Sequence, residues 1–248
     1  MVAQINEPPW GMQRTALEIF GGLASSYEKA LDAATLGQDR HWKRWVYDNA
    51  GARAGERILD VGCGTCLFEE LVEEQGCRVV GLDLTEQMIR IGQSKRISCI
   101  EALLVGDAES LPFPDDVFDV VVSCYVPKYV TLERLAEEVA RVLRPGGRVV
   151  LYDFVRPRGP LSPILRLYIH GALRIAGYLL GLIGDETATT FRNLPRIIEG
   201  AKWNESIAET FEGVGVRTLT HKTLSGGVVS AFSGRKANGS PPVHQSPR

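Results

Sequence analysis

Short apolar runs alternate with amphipathic stretches across the middle of the chain. Ile58-Leu59-Asp60-Val61, Arg78-Val79-Val80-Gly81-Leu82, Ala102 to Val105, Phe118 to Ser123 and Arg148 to Tyr152 predict five buried strands. Between them, helical periodicity runs over Leu67 to Gln75, Thr85 to Lys95 and Leu132 to Leu143. Arg144-Pro145-Gly146-Gly147 is a termination signal for the last of these helices. Strand and helix in regular alternation imply right-handed crossovers and a parallel sheet covered on both faces. Upstream, Ala16, Leu17, Phe20, Leu23, Ala24, Tyr27 and Leu31 recur at helical spacing, divided at Gly21-Gly22. His41 to Asn49 predicts a second amphipathic helix, with Trp42 and Trp45 on its apolar face. Downstream, a helix is expected from Asn204 to Phe211, then Gly215 to Thr220 and Gly226 to Phe232 as an antiparallel hairpin on the sheet edge.

The predicted fold class is therefore α/β and Rossmann-like, a mainly parallel seven-stranded sheet with an antiparallel edge strand. One domain is expected over 12–234, with 12–50 an N-terminal helical cap and 155–203 an insertion lid. Residues 1–11, with Pro8, Pro9 and Gly11, read as a flexible lead-in, and 235–248 as a disordered tail poor in large apolar side chains.

Composition narrows the function. A net charge of −2, from 28 basic and 30 acidic residues, offers no footprint for nucleic acid. Cys63, Cys66, Cys77, Cys99 and Cys124 form an odd set without framework spacing, which argues against a disulfide scaffold. The first residues carry Glu7 and no apolar signal core, so a cytoplasmic setting is expected. Leu161 to Gly184 is strongly apolar, but Arg166, His170 and Arg174 interrupt it well short of the ~20 residues a spanning helix needs. Those three fall at i, i+4 and i+8, a narrow basic stripe on an apolar helix, suited to peripheral contact with an anionic membrane through 161–184 or to a lid over an apolar substrate.

The candidate chemistry begins at Leu59-Asp60-Val61-Gly62-Cys63-Gly64-Thr65. A strand ending in Gly-x-Gly before a helix lets backbone amides approach a ligand closely. The spacing lacks the third glycine of a dinucleotide fingerprint, and no Gly-Lys-Ser/Thr of a nucleotide loop follows. Asp83 ends the second strand, about 20 residues on, where a carboxylate accepts from both ribose hydroxyls. Asp107-Ala108 ends the third strand, placed to meet an adenine amino group. Ligands of open α/β sheets bind outside the carboxyl ends of the strands, so Gly62, Gly64, Asp83 and Asp107 should converge. Asp60 reads equally as a cofactor contact or a buried carboxylate orienting loop amides. Cys63 and Cys66 form Cys-x-x-Cys, but no second pair stands at zinc spacing, and two small buried side chains are expected, with no metal.

These stretches resemble class I S-adenosylmethionine-dependent methyltransferases, and within them the ubiquinone/menaquinone biosynthesis C-methyltransferase family. Ile58 to Thr65, Gly81 to Met88, Gly106 to Asp115, Phe118 to Val121 and Arg141 to Gly147 carry the likeness. The resemblance implies S-adenosyl-L-methionine as cofactor, with Cys63, Leu84, Met88 and Ala108 beside the residues above. It also implies Tyr27 at the cofactor's carboxylate end and a small lipophilic acceptor, a quinol or phenol ring carbon. An O- or N-methyltransferase of another lipophilic metabolite, or a non-methylating cofactor-binding protein, is the alternative. Three positions depart from the pattern: Cys66 where the loop has a third glycine, Lys128-Tyr129 where the subfamily has Arg-Asn, and Phe191 where it has tyrosine, beside a retained Arg192. Ring methylation needs an acceptor hydroxyl deprotonated or strongly hydrogen-bonded. Tyr125 and Lys128 after the fourth strand and Asp153 after the fifth are the candidate catalytic residues, with His170 as a further base.

Overall fold

The computed structural model describes residues 26–158, 162–181, 195–200 and 202–238, together with positions 17, 20, 21, 24 and 160. The expected lead-in, the tail from 239, and Phe191-Arg192 lie outside the described residues. Two helices, α1 (Tyr27–Thr35) and α2 (Gln38–Ala50), precede the alternating region. There follow β1 (Arg57–Val61), α3 (Leu67–Val72), β2 (Arg78–Asp83), α4 (Glu86–Ser94), β3 (Ile100–Val105), β4 (Phe118–Cys124), α5 (Leu132–Val142) and β5 (Leu143–Phe154). The chain closes with α6 (Ser162–Gly181), a short helical segment at 195–200, α7 (Trp203–Gly213), β6 (Val216–Leu224) and β7 (Val229–Lys236).

All seven strands form one sheet, in the order β3-β2-β1-β4-β5-β7-β6. The first five pair in parallel, and β7 runs antiparallel to both β5 and β6. Neighbouring residues on each strand bury on opposite faces, as the pleat demands. Ile58, Val79 and Val120 pack with Trp42, Val46 and Phe68 on one side. Leu59, Val80 and Val121 pack with Leu135, Val139 and Phe211 on the other. Both faces are therefore apolar, which is why the strand sequences read as continuous runs and not as alternation.

Several boundaries differ from expectation, the hairpin strands among them, and two are fixed by contacts from far along the chain. Helix α5 stops at Val142, but Arg144 to Gly147 is no free turn: Leu143 already pairs with Phe118, so β5 starts there. Asp116 and Val117 donate to the carbonyls of Arg141 and Val142, locking the helix end onto the start of β4. Strand β7 runs to Lys236, past the expected boundary at 234. The Lys236 ammonium donates to Asp116 (2.7 Å) and to the Leu143 carbonyl (2.6 Å), which holds that end down. In the hairpin, Ser225–Gly227 is a 3-10 turn, and Ser225 Oγ accepts from Trp42 Nε1 (2.9 Å), tying α2 to the sheet edge.

On helix α6, the partly exposed Arg166 and His170 both bond Glu199, at 2.7 and 2.9 Å. Ile164, Leu167, Ile175 and Tyr178 are 62–75% exposed. At 100° per residue these four lie within an arc of about 80°, on the side away from Arg166. Arg174's side chain lies outside the described residues. Among the described residues, no helix is long and apolar enough to cross a membrane.

Candidate active site

The carboxyl ends of β1 to β4 lie side by side and open into a cleft, the place where open α/β sheets bind their ligands. Its floor brings together Gly62, Gly64, Asp83, Leu84, Asp107 and Ala108, with Met88 behind them. Tyr27 and Tyr125 line it from the other side. These are the residues that strand-end reasoning and the family resemblance placed near one ligand.

The loop after β1 is built on left-handed backbone: φ is +79° at Gly62 and +55° at Gly64. A Cβ on Gly62 would overlap the Val126 side chain, so only glycine lets the loop pass under the β4 end. Gly62 and Cys63 both donate their amides to the Leu82 carbonyl (2.7 and 3.1 Å). Asp83 then ties the two strand ends: Oδ2 accepts from Gly64 N (2.9 Å) and Oδ1 from Thr85 N (2.8 Å). Burial pushes its carboxyl pKa up, and the two backbone donors oppose that. A carboxylate oxygen accepts two hydrogen bonds, so each can take a further one from a vicinal diol. Asp107 Oδ1 accepts from Glu109 N (2.8 Å), fixing the β3 end beside it. A glycine cradle, an amide-anchored carboxylate and a second strand-end acid fit the adenosyl group that the sequence implies.

The far wall is aromatic. Phe20 meets Tyr27 edge-on at 5.9 Å and Tyr129 at 5.7 Å between ring centres. Tyr125, at φ +69°, carries non-glycine backbone strain of about 1–2 kcal/mol directly after β4. Its hydroxyl donates to Asp39 Oδ1 (2.8 Å), which also accepts from Tyr152 (3.0 Å) and from the Lys43 ammonium (2.6 Å). Burial and then the Asp39 charge hold the Tyr125 pKa well above its ordinary value, so the phenol stays protonated. Asp39 and Lys43, both buried on α2, were invisible to motif reading; 86 residues separate Asp39 from Tyr125. Phe20, Thr85, Val126 and Tyr129 are further lining residues outside the sequence expectation. Tyr129's hydroxyl is buried without a hydrogen-bond partner, and burial raises its pKa.

Four expected residues stand outside the lining. Lys128 Nζ and Asp153 Oδ1 form an ion pair at 2.7 Å with side chains 2% and 0% exposed. Lys128 Nζ also donates to the Tyr125 carbonyl, and Asp153 accepts from the amides of Lys128 and Phe154. Burial lowers the Lys128 pKa and raises that of Asp153, each shift opposed by the partner. Neither group is open to an acceptor: together they clamp the turn that carries Tyr125 and Tyr129. Asp60 lies behind the loop with Oδ1 buried and partnerless, orienting no loop amide. Cys63 is buried beside it.

Known proteins resemble this chain in sequence and in fold. The chain is 32% identical over 232 residues to the ubiquinone/menaquinone biosynthesis C-methyltransferase UbiE of Yersinia pestis (strain Pestoides F), covering 88% of this chain and 89% of that protein. Among solved structures, the putative methyltransferase in complex with the Haloferax volcanii Trm112 activator superposes with a TM-score of 0.63 at 17% identity, covering 88% of this chain and 97% of that one. A SAM-dependent methyltransferase from Aquifex aeolicus gives 0.55 at 15%, covering 93% and 99%. Those two likenesses bear on the fold alone. The family model that matches, over residues 11–236, is the ubiE/COQ5 methyltransferase family, and the chain belongs to it.

Proposed function

We propose that this chain is an S-adenosylmethionine-dependent methyltransferase acting on a ring carbon of a lipophilic quinol. The observation that carries the reading is the convergence of Gly62, Gly64, Asp83 and Asp107 on one cleft whose opposite wall is aromatic. The cofactor supplies an electrophilic methyl on a sulfonium. Gly62 and Gly64 admit its methionine part, Asp83 accepts from the ribose diol, and Asp107 faces the adenine edge. Leu84, Met88 and Ala108 give the apolar contacts, and Tyr27 closes the carboxylate end. Methyl transfer demands alignment above all, and the rigid strand ends provide it.

On the acceptor side, Tyr125 has its proton committed to Asp39 and turns lone pairs toward the acceptor's ring hydroxyl. That bond polarises the acceptor O–H and raises electron density on the ring carbon; the ring hydrogen that the methyl replaces leaves as a proton to water. Tyr129, its hydroxyl without a partner in the fold, donates to the acceptor's second oxygen. Lys128 and Asp153 act as positioning residues through the Tyr125 carbonyl and their own amide contacts. The test is a reaction of the full chain with methyl-labelled cofactor and a prenylated, ring-unsubstituted quinol. One equivalent of S-adenosylhomocysteine per quinol, and a label on ring carbon by product NMR, is the expected result. Label on oxygen would refute the ring-carbon assignment, and no release of S-adenosylhomocysteine with quinol would refute the activity.

The same reading makes the enzyme a peripheral, cytoplasmic-side visitor to the membrane where prenylated acceptors dissolve. Ile164, Leu167, Ile175 and Tyr178 offer an apolar stripe for it. Because Glu199 already pairs Arg166 and His170, attachment rests on apolar burial and not on lipid charge. Flotation with neutral and anionic vesicles should recover the protein equally, and replacing Leu167 and Ile175 with Ser should abolish recovery from both. Binding only to anionic vesicles would contradict this account.

A further inference from the structure

Behind the cofactor loop, on the side away from the cleft, three ligand-type side chains meet. Cys63, Cys66 and Glu69 are all buried, and their sulfur and oxygen atoms lie within 4.8 Å of one another. The spacing is i, i+3 and i+6 across the start of α3, which brings successive side chains round to one place. The first two were legible as Cys-x-x-Cys; the third was hidden because a lone glutamate on a helix carries no signal.

Several observations at this cluster call for a cation. Both carboxylate oxygens of Glu69 are buried without any hydrogen-bond partner, and the residue is 0% exposed. An unpaired buried carboxylate is costly, and such groups pair, protonate or coordinate metals. Asp60 Oδ1, in the strand that leads into the loop, is a second buried oxygen without a partner. Cys66 sits in left-handed backbone at φ +67°, where glycine would be relaxed, so the chain carries strain to hold a thiol at that point. The sulfurs also have space reserved for them. A Cβ on Gly81 would stand 2.8 Å from Cys63 Sγ, and one on Gly92 would overlap Cys66 Sγ.

We propose that Cys63, Cys66 and Glu69 form a binding site for one divalent zinc-type ion that fastens the cofactor loop to α3. Zn–S near 2.3 Å and Zn–O near 2.0 Å set the ligand edges at about 3.5–3.8 Å, so closure from within 4.8 Å needs a contraction of about 1.3 Å at most. Two thiolates and one carboxylate match the ion's borderline-soft character, and a water would complete the tetrahedron. The site supplies no group to the cleft and its occupancy is independent of the acceptor's identity.

The test uses the full chain, reduced and stripped with chelator, titrated with Co²⁺ and then with Zn²⁺. Expected is saturation at one equivalent, with sulfur-to-cobalt charge-transfer absorption and tetrahedral visible bands that Zn²⁺ bleaches. Cys66→Gly, which relaxes the loop and so should fold, should lose the charge-transfer band. Glu69→Gln should weaken Zn²⁺ by more than the about 10–100-fold that follows loss of an outer-shell partner, and Cys99→Ala should leave the titration unchanged. A wild-type protein with all thiols reduced that shows no charge-transfer band would overturn the proposal. So would a band that survives Cys66→Gly, or a Cys63–Cys66 disulfide in freshly isolated protein.

Discussion

Asp83 offers the sharpest perturbation. Its two oxygens each hold one loop amide, Gly64 N at 2.9 Å and Thr85 N at 2.8 Å, and each keeps an acceptor position for a ribose hydroxyl. Asp83→Ala removes all of these at once. Two hydrogen bonds from a diol to a buried carboxylate are worth about 1.5–3 kcal/mol each. At about 1.4 kcal/mol per tenfold, their sum corresponds to roughly two to four orders of magnitude in affinity. The stranded amides add a separate cost, because a buried donor without a partner loses about 1–3 kcal/mol. The two effects separate in the measurement. Calorimetric titration with S-adenosylhomocysteine, at a temperature where circular dichroism shows the variant folded, reads the first. Denaturant unfolding without ligand reads the second. Unchanged affinity in a folded variant would refute the diol role, whatever happened to stability.

Tyr125→Phe should keep cofactor affinity within about twofold and cut kcat by roughly two- to tenfold, the worth of one neutral hydrogen bond; steady-state kinetics with quinol checks it, and an unchanged kcat would remove Tyr125 from the reaction. Asp153→Asn leaves the Lys128 ammonium unpaired in the interior and should destabilise folding by about 3–5 kcal/mol, seen as a lower denaturant midpoint; a midpoint unchanged from wild type would contradict the clamp. Acid sensitivity is expected at Glu138, whose carboxyl the Arg141 guanidinium and then the Leu111 amide hold below its ordinary value. A depressed folded-state pKa gives stability that is present above the unfolded value, about 4.3, and lost as pH falls through the lower folded one. Glu138→Gln should therefore flatten the stability-versus-pH curve between about pH 5 and 3, and an unflattened curve would show that the group contributes nothing.

Much of the fold was legible because its signals are local. Apolar runs such as Ile58 to Val61 and Val120 to Val122 are buried on both faces, and the Gly-x-Gly turn with acids at the next two strand ends follows directly from how a parallel sheet presents its carboxyl edge. What could not be read is set by distance in sequence. Asp39 meets Tyr125 and Tyr152 only once α2 packs across the sheet, 86 and 113 residues away. Lys128 and Asp153 have the right types and positions for chemistry, but the fold turns them toward each other. The basic stripe on α6 was visible as periodicity, yet periodicity does not say which face meets the protein; Glu199, 29 residues beyond His170, decides it. Lys236 was assigned to the tail because nothing in its neighbourhood foretells Asp116 as its partner.

The central claim is that one adenosyl cofactor lies across the ends of β1, β2 and β3. Crystals of the full chain grown with saturating S-adenosylhomocysteine test it most directly. The account predicts density with the ribose diol on Asp83, the purine beside Asp107 and Ala108, and the amino-acid end over Gly62 and Gly64. Ligand found elsewhere, or a vacant cleft at concentrations that saturate binding in solution, would contradict it.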